Sequence, residues 1–304
     1  MRYREWAVFI ALCLIWGSTW AVIRVLVGDV PPLQAAAVRF LLSGVMALVW
    51  MLIRRERWPR GAEWRAILLL SFAMIAAPYG IIFWAERTVS SGMTALVYAS
   101  LPIFISFLSP LMAREGSVAV PRRAVQAMIF GVGGIALLLQ SAISVSWGQT
   151  LGIVALLVGV ALSAWSTIHA KSTLVGKGSD LHVTMSSGLQ FLLASVWLEA
   201  ASLVLERGQT AVWSREAIEA ELFLSVFGSV VAFSLYYWLL RHWEPYRLSM
   251  MQLLFPLVAV TEGAILLHEL LEWQMVVAGV VILGSVWFVM RARVEDEEPV
   301  TLRE

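Results

Sequence analysis

The chain has 304 residues, of which 60% are hydrophobic and only 14% are charged, and its net charge is +1. Soluble domains carry about 25% charged residues, so this composition excludes an ordinary water-soluble fold. The near-zero net charge gives no basic surface for nucleic acid. A single cysteine, Cys13, excludes an intramolecular disulfide and a cysteine-based metal site. The sequence therefore predicts an all-α membrane protein.

Long apolar blocks alternate with short charged or turn-rich pieces along the whole chain. A helix needs roughly 20 apolar residues to cross the hydrocarbon core of a bilayer. Pro31-Pro32 and the cluster from Arg54 to Gly61 mark two of the breaks. In chain order, the predicted transmembrane helices cover 5–27, 33–53, 64–85, 90–112, 122–141, 148–171, 181–205, 217–240, 245–267 and 273–291.

The basic residues divide unequally between the two sets of connections. One set, which includes both termini, holds 17 of the 22 Lys and Arg residues, whereas the alternate set holds four. Arg39 is the remaining one and lies inside a predicted helix. Because connections rich in Lys and Arg stay on the cytoplasmic side, both termini are predicted to be cytoplasmic.

The two halves of the chain resemble each other. Residues 39–44 of the second predicted helix read like residues 190–195 of the seventh, at an offset of 151. A second set of matches, at an offset of 154, pairs Trp84, Arg87, Pro102 and Glu115 with Trp238, Arg241, Pro256 and Glu269. An internal repeat follows from these matches.

Five helices per half is an odd number, so the second half starts on the opposite side of the membrane from the first. The sequence thus predicts two inverted repeats, 1–143 and 144–294, followed by an acidic cytoplasmic tail at 295–304. Many secondary transporters use this arrangement to build a site near the bilayer midplane. A duplicated bundle without a transport role is the competing interpretation.

Several short motifs resemble the drug/metabolite transporter superfamily and its paired EamA-type repeats. Trp16-Gly17-Ser18 with Arg24 resembles the opening signature of that superfamily. The other matching motifs are Arg39-Phe40, Leu101-Pro102, Pro256 and Glu269. The resemblance covers about residues 5–291. One departure is that the sixth predicted helix carries Trp165 and His169 where the first carries Ser18 and Val22.

Within the superfamily, the chain resembles most the aromatic amino acid exporters of the YddG type. This resemblance implies a ten-helix exporter of amino acids and similar metabolites in a bacterial inner membrane, without a cofactor. The small-molecule substrate and the lipid bilayer are its expected partners, and a monomer is compatible with the sequence.

No motif for catalysis or for ATP binding is present. The four histidines lie on different segments, and no Gly-x-x-x-x-Gly-Lys sequence could hold ATP phosphates. The chain is therefore predicted not to be an enzyme, and no metal site is expected.

Aromatic and polar residues at helical spacing indicate where a substrate would bind. Residues four apart on a helix share one face, as do Trp16 and Trp20, Trp165 and His169, and Gln252 and Pro256. Tyr98 and Gln252 occupy equivalent positions, each four residues before a proline. Each stripe could instead serve helix packing. The predicted substrate-binding residues are Trp16, Trp20, Tyr79, Tyr98, Ser100, Trp165, His169 and Gln252.

Four further residues are predicted to have structural or gating roles. A proline within a span frees a backbone carbonyl, which is tolerated best beside a cavity or a neighbouring helix, and Pro102 and Pro256 are such residues. Charges inside a span are costly and suggest function. Arg39 and Glu262 are predicted on this ground, although Arg39 could also bond to carbonyls and Glu262 could reach an interface.

The leading functional prediction is a secondary transporter that exports amino acids, aromatic ones above all, by alternating access. Its cavity would lie between helices 1, 3 and 4 and helices 6, 8 and 9. The alternatives are an exporter of drugs or nucleobase-type metabolites with the same fold, a membrane-embedded lipid enzyme, and a channel. The enzyme would need clustered His, Asp or Glu, and the channel would need a continuous polar stripe.

Overall fold

The computed structural model describes residues 3–89, 91–112, 120–139, 147–174, 181–266 and 273–291, and every regular element in these ranges is helical. They form ten helices, α1 to α10, of which four contain irregular turns. The six regular helices are α1 (Tyr3–Asp29), α2 (Pro32–Arg54), α5 (Arg122–Leu139), α6 (Trp147–Thr173), α7 (Val183–Leu205) and α10 (Trp273–Arg291).

Helices α3 and α8 each contain a π-helical segment near the middle. Helix α3 runs from Ala62 to Ala85 with its π segment at Ser71–Ala76, and α8 runs from Arg215 to His242 with its π segment at Val226–Val231. A π turn contains one residue more than an α turn and leaves a carbonyl free of its usual partner. Neither segment has an obvious sequence signal.

Helices α4 and α9 are interrupted. The first part of α4 is Ser91–Tyr98 and the second is Leu101–Leu111, so Pro102 stands in the first turn of a new helical segment. Helix α9 consists of Pro245–Leu248 and Met251–Leu266, and Pro256 lies within the longer part. The two equivalent prolines therefore have different local roles, since only Pro256 interrupts a continuing helix.

The predicted helices agree with the observed ones to within a few residues at most ends. Among the described residues, seven helices are long and apolar enough to cross a membrane, namely α1, α2, α3, α6, α7, α8 and the stretch Met93–Leu111 of α4. The all-helical class is confirmed. The acidic tail at 295–304 and the residues Glu115 and Glu269 lie outside the described residues, and the side chain of Glu262 is not described.

Large apolar side chains cover the outer surface of the bundle. Phe130, Leu111 and Leu205 are more than two-thirds exposed, and many other Leu, Val, Phe and Trp side chains are exposed with them. A water-soluble monomer rarely exposes contiguous apolar patches of this extent. The surface is instead that of a bundle surrounded by lipid.

The two halves make equivalent helix contacts. Helix α2 packs on α7 and α5 packs on α10, which are the pairs of equivalent helices if each half contributes five. Helix α3 packs on α6 as α8 packs on α1, and α4 packs on α6 as α9 packs on α1. Replacing each helix by the one five positions later therefore leaves this pattern of contacts unchanged.

Contacts between connections define two ends of the bundle. At the end that carries the start of α1, here called the N-terminal end, Glu5 accepts a hydrogen bond from Trp243 and Arg241 donates to the Leu181 carbonyl. At the opposite end, the Val212 amide donates to the Asp29 carbonyl at 2.9 Å and Glu206 accepts from the Leu33 amide at 2.8 Å. Both ends are thus joined across the two halves.

Helices α2 and α7 pack closely against each other. Phe40 and Phe191, which the repeat places at equivalent positions, stack on each other with ring centroids 5.5 Å apart. Gly44 lies so near α7 that a Cβ atom there would be 2.6 Å from Leu192 Cγ and 2.9 Å from the Leu192 backbone nitrogen. Small residues allow such close approach between helices in membranes.

Gly44→Ala is expected to lower the free energy of unfolding by about 1–3 kcal/mol, because the added methyl group overpacks an interface whose backbone cannot yield. Thermal unfolding in detergent measures this. Gly133→Ala is the matched control within a helix, because a Cβ atom at Gly133 meets nothing within 4 Å. Equal midpoints for Gly44→Ala and wild type would contradict the close packing.

Candidate substrate cavity

A cavity lies in the middle of the bundle, enclosed by α1, α3, α4, α6, α8 and α9. The volume within it that is open to the centre of a water-sized sphere is about 80 Å³, well below the roughly 300–1,000 Å³ usual for small-molecule sites. Its lining residues are Trp16, Thr19, Trp20, Ile23, Met74, Pro78, Tyr79, Ile82, Tyr98, Leu101, Ile105, Ser163, Thr167, Phe233, Tyr236, Ser249, Met251, Gln252 and Phe255.

Aromatic rings form most of the cavity wall. The Trp16 ring lies 5.3 Å from Phe233 and 5.4 Å from Tyr236, measured between centroids. The Trp20 ring lies 5.6 Å from Tyr98 and 6.2 Å from Phe255. Both tryptophans come from one face of α1, and their ring partners come from the other half of the chain as well as from α4. Side chains of both halves thus form one aromatic surface.

Several polar side chains in the wall are already satisfied by the protein. The Trp16 indole donates to the Gly228 carbonyl at 2.9 Å, within the π segment of α8. The hydroxyls of Thr167 and Tyr236 are 2.8 Å apart, and Ser249 donates to the Tyr246 carbonyl. These groups fix the shape of the cavity because their hydrogen bonds join different helices or close a helix break.

Three other polar atoms in the wall are buried without a well-aligned partner in the described part of the chain. They are the indole nitrogen of Trp20, the hydroxyl of Tyr98 and the side-chain oxygen of Gln252. The Tyr98 hydroxyl is directed towards Ser163, but the two do not form a well-aligned hydrogen bond. Buried polar groups are normally paired, so these three atoms are available to a ligand with both donors and acceptors.

No side chain in the lining is acidic or basic. Behind the wall, Arg39 is fully buried and lies 5.0 Å from the Tyr79 ring. Its Nε donates to Ser229 Oγ at 2.9 Å, and its Nη2 donates to the Gly228 carbonyl at 3.0 Å. Arg39 therefore binds the π segment of α8 from α2 and does not itself reach the cavity.

The structure brings together five of the eight predicted binding residues, which are Trp16, Trp20, Tyr79, Tyr98 and Gln252. Ser100 lies outside the lining and donates to the Val97 carbonyl, which closes the break in α4. Trp165 and His169 also lie outside it and stack on each other, with centroids 4.9 Å apart. Their placement gives no support to a direct role in binding.

The polar face of α6 is formed by residues that the sequence did not single out. Ser163 and Thr167 line the cavity. They are four residues apart, and Trp165 and His169 have the same spacing but each lie two residues further along the helix. A rotation of about 200° separates residues two apart on a helix, so only one of the two stripes can face inwards. Trp165 and His169 were predicted because their rings are large. The smaller side chains of Ser163 and Thr167 face the cavity and leave room for a ligand.

Comparison with known proteins agrees with this architecture. The model of the EamA-like transporter family matches residues 5–140 and again residues 150–291. The chain belongs to the EamA-like transporter family. The two matched ranges together cover most of the chain, and each coincides with one set of five helices.

Among similar proteins, the inner membrane transporter YedA of Escherichia coli K12 is 30% identical over 295 residues, covering 94% of this chain and 92% of YedA. Protein PagO of Salmonella typhimurium is 26% identical, covering 83% of this chain and 82% of PagO. Transporter YoaV of Bacillus subtilis is 23% identical, covering 91% and 94%. A crystal structure with 15% identity matches 95% of this chain and 96% of its own, with a TM-score of 0.76, which shows a shared fold.

Membership of the family makes the chain a membrane transporter. In the described ranges, no three His, Cys, Asp or Glu side chains come together in a way that could hold a metal ion. The cavity is therefore the part of this transporter where a small-molecule substrate is to be sought.

Proposed function

We propose that this chain exports amino acids with aromatic or other apolar side chains, and similar small metabolites, by alternating access to the central cavity. The observation that carries the proposal is an uncharged aromatic cavity with three unpaired polar atoms. The aromatic walls suit a flat apolar side chain, and the indole of Trp20 and the hydroxyl of Tyr98 suit a carboxylate. The Gln252 oxygen suits an ammonium group.

The arrangement in the membrane is part of the same proposal. Residues 1–143 and 144–294 form two inverted repeats, ten helices cross the bilayer, and the N-terminal end of the bundle faces the cytoplasm of a bacterial cell. The support for this topology comes from the unequal distribution of Lys and Arg, the exchange pattern of helix contacts and the relatives named as inner membrane transporters. A monomer would suffice, since one chain encloses the whole cavity.

Uptake of labelled phenylalanine, tryptophan and leucine into proteoliposomes, with and without a pH gradient, tests the function. We expect saturable flux with a preference for the aromatic substrates. Flux without a gradient would indicate facilitated transport, whereas flux that requires a gradient would indicate proton coupling. The absence of flux for every amino acid would contradict the proposal.

A second candidate is export of uncharged amphipathic compounds such as drugs or nucleobases. It is favoured by the absence of acidic and basic side chains from the lining, because an unmatched charge is costly in a buried site. Competition of phenylalanine flux by phenylethylamine and phenylpropionate distinguishes the two. An amino acid site should discriminate against both analogues, whereas a site for neutral compounds should accept benzyl alcohol or a nucleobase better than phenylalanine.

Tyr98→Phe and Gln252→Leu each remove one unpaired polar atom and are expected to lower the apparent affinity for phenylalanine roughly tenfold to hundredfold, since each leaves a charged group of the substrate unpaired. The measurement is the concentration dependence of uptake. Trp165→Ala serves as the control, because it removes an aromatic ring of α6 outside the cavity. A larger loss of affinity in Trp165→Ala than in Tyr98→Phe would place the site elsewhere.

A further inference from the structure

Two hairpin tips occupy equivalent places at opposite ends of the cavity. The connection between α3 and α4, beginning at Glu86, lies at the opposite end of the bundle, and the connection between α8 and α9, at Trp243 and Glu244, lies at the N-terminal end. The offset between these tips is 154 residues, the same offset that relates Trp84 to Trp238. Their contacts can therefore be compared residue by residue.

A basic side chain of the same half holds each tip. Arg24 of α1 donates through its Nη1 to the Glu86 carbonyl and, at 3.5 Å, to the Val89 carbonyl. Lys171 of α6 donates through its Nζ to the Leu240 carbonyl at 2.7 Å and to the Trp243 carbonyl at 2.9 Å. In both cases the cation caps free carbonyls at the C-terminal end of a helix, where the helix dipole favours positive charge.

These two contacts correspond under the repeat. Arg24 and Lys171 are 147 residues apart, the offset that relates Ser18 of α1 to Trp165 of α6. Both carbonyls that Arg24 contacts lie 154 residues before those that Lys171 contacts. One device thus appears twice, once at each end of the cavity.

Each tip also touches the other half of the chain, again at equivalent positions. Val89 packs against α6 so closely that a Cβ atom at Gly152 would lie 2.5 Å from Val89 Cγ2. Trp243, its equivalent, donates from its indole to Glu5 of α1 at 2.9 Å. Glu5 and Gly152 are themselves 147 residues apart. Each tip therefore bridges the two halves across one end of the cavity.

We propose that the two hairpin tips are the gates of the cavity, and that Arg24 and Lys171 are equivalent latches that release in alternation. The proposal rests on the proposed transport function, because alternating access requires each end to open while the other stays closed. In the structure both latches are formed, so both tips are held against the bundle.

The two gates differ in strength. Trp243 packs edge-on against Trp6 and at a tilt against Phe9, with centroids 5.7 and 5.2 Å apart, in addition to its bond with Glu5. Val89 contacts Gly152 with a small aliphatic side chain. Aromatic pairs stabilise beyond the area they bury, so the gate at the opposite end opens more readily than the gate at the N-terminal end.

Accessibility of a cavity cysteine to a membrane-impermeant maleimide tests this without any transported substrate. The reporter is Ser163→Cys in a Cys13→Ala background, labelled from outside in intact spheroplasts and from the other side in inside-out vesicles. We expect faster labelling from the side of the opposite end. Failure of amino acid flux with normal gating would overturn the proposed function alone, whereas normal flux without side-specific labelling changes would overturn the gates.

Gly152→Ala tests the gate at the opposite end. The added methyl group has no room beside Val89, so the tip is displaced and labelling from that side should rise roughly tenfold. Gly148→Ala is the matched control one turn earlier on α6, because a Cβ atom there lies 4.0 Å from Thr88 Cγ2. Equal labelling of the two alanine variants would contradict the gate.

The latch variants give opposite shifts. Lys171→Gln should raise labelling from the side of the N-terminal end roughly tenfold, and Arg24→Gln should raise it from the other side. Lys171→Arg keeps the charge and should retain wild-type labelling, and Arg87→Gln is an exposed control next to the Arg24 latch. Equal changes on both sides, shifts to the wrong side, or no change in either glutamine variant would overturn the proposal. If Arg24→Gln fails to fold, Gly152→Ala reports on the same gate.

Discussion

Arg39→Met is expected to lower the free energy of unfolding by about 3–5 kcal/mol, the cost of leaving a buried charge network without its cation. The guanidinium group is fully buried and holds Gly228 and Ser229 of α8 against α2. Glu221 lies within its electrostatic range and is itself only 3% exposed. Methionine fills much of the same volume but leaves the acceptors on α8 without their donor and Glu221 without a nearby cation.

Thermal unfolding in detergent measures this loss, and the midpoint should fall by several degrees. Arg215→Met is the control, since Arg215 is exposed and pairs only with Glu219 on the surface of α8, where such pairs contribute little. The double variant Arg39→Met, Glu221→Gln should recover part of the loss because it also removes the unpaired carboxylate. Full tolerance of Arg39→Met would show that Arg39 and its hydrogen bonds to α8 contribute nothing to stability.

The stability of the protein is expected to fall as the pH rises from about 5 to about 8, and Glu86→Gln should reduce this fall. Burial raises the pKa of Glu86 to about 8, an effect that Ser91 and Arg24 only partly oppose. The folded state then holds a proton that the unfolded state releases near pH 4.5. The stabilising effect of this bound proton is complete below about pH 4.5, and it is lost as the pH rises through 8.

The expected size is several kcal/mol, since each unit of pKa difference corresponds to about 1.4 kcal/mol. Midpoints of thermal unfolding between pH 5 and pH 9 measure it. Glu216→Gln, at an exposed site near the start of α8, is the control and should leave the pH profile of the wild type unchanged. A Glu86→Gln profile that still falls with the wild-type slope would show that Glu86 is already ionised in the folded protein.

Much of the architecture could be predicted from the sequence because it depends on patterns that extend over many residues. Apolar blocks about 20 residues long define helices whatever their partners are. The repeat was detectable because residues such as Trp84 and Pro102 recur as Trp238 and Pro256 at one offset. The equivalent residues Tyr98 and Gln252 do line one cavity, as their positions before the two prolines suggested.

Features that depend on helix rotation or on long-range partners could not be predicted. The stripe of Trp165 and His169 and the stripe of Ser163 and Thr167 have the same spacing, and only packing decides which faces the cavity. Arg39 donates a hydrogen bond to a carbonyl in the π segment of α8. No residue pattern in α8 predicts that segment. Glu221 was overlooked because it stands near the polar start of α8, although the structure buries it.

The paired π segments also carry a record of how the chain arose. They begin at Ser71 and Val226, which are 155 residues apart, within one residue of the offset that relates the surrounding sequence. The family model matches each half separately, which indicates descent from a single five-helix ancestor. An extra residue inserted independently into two helices would rarely fall at the same turn, so the insertion predates the duplication.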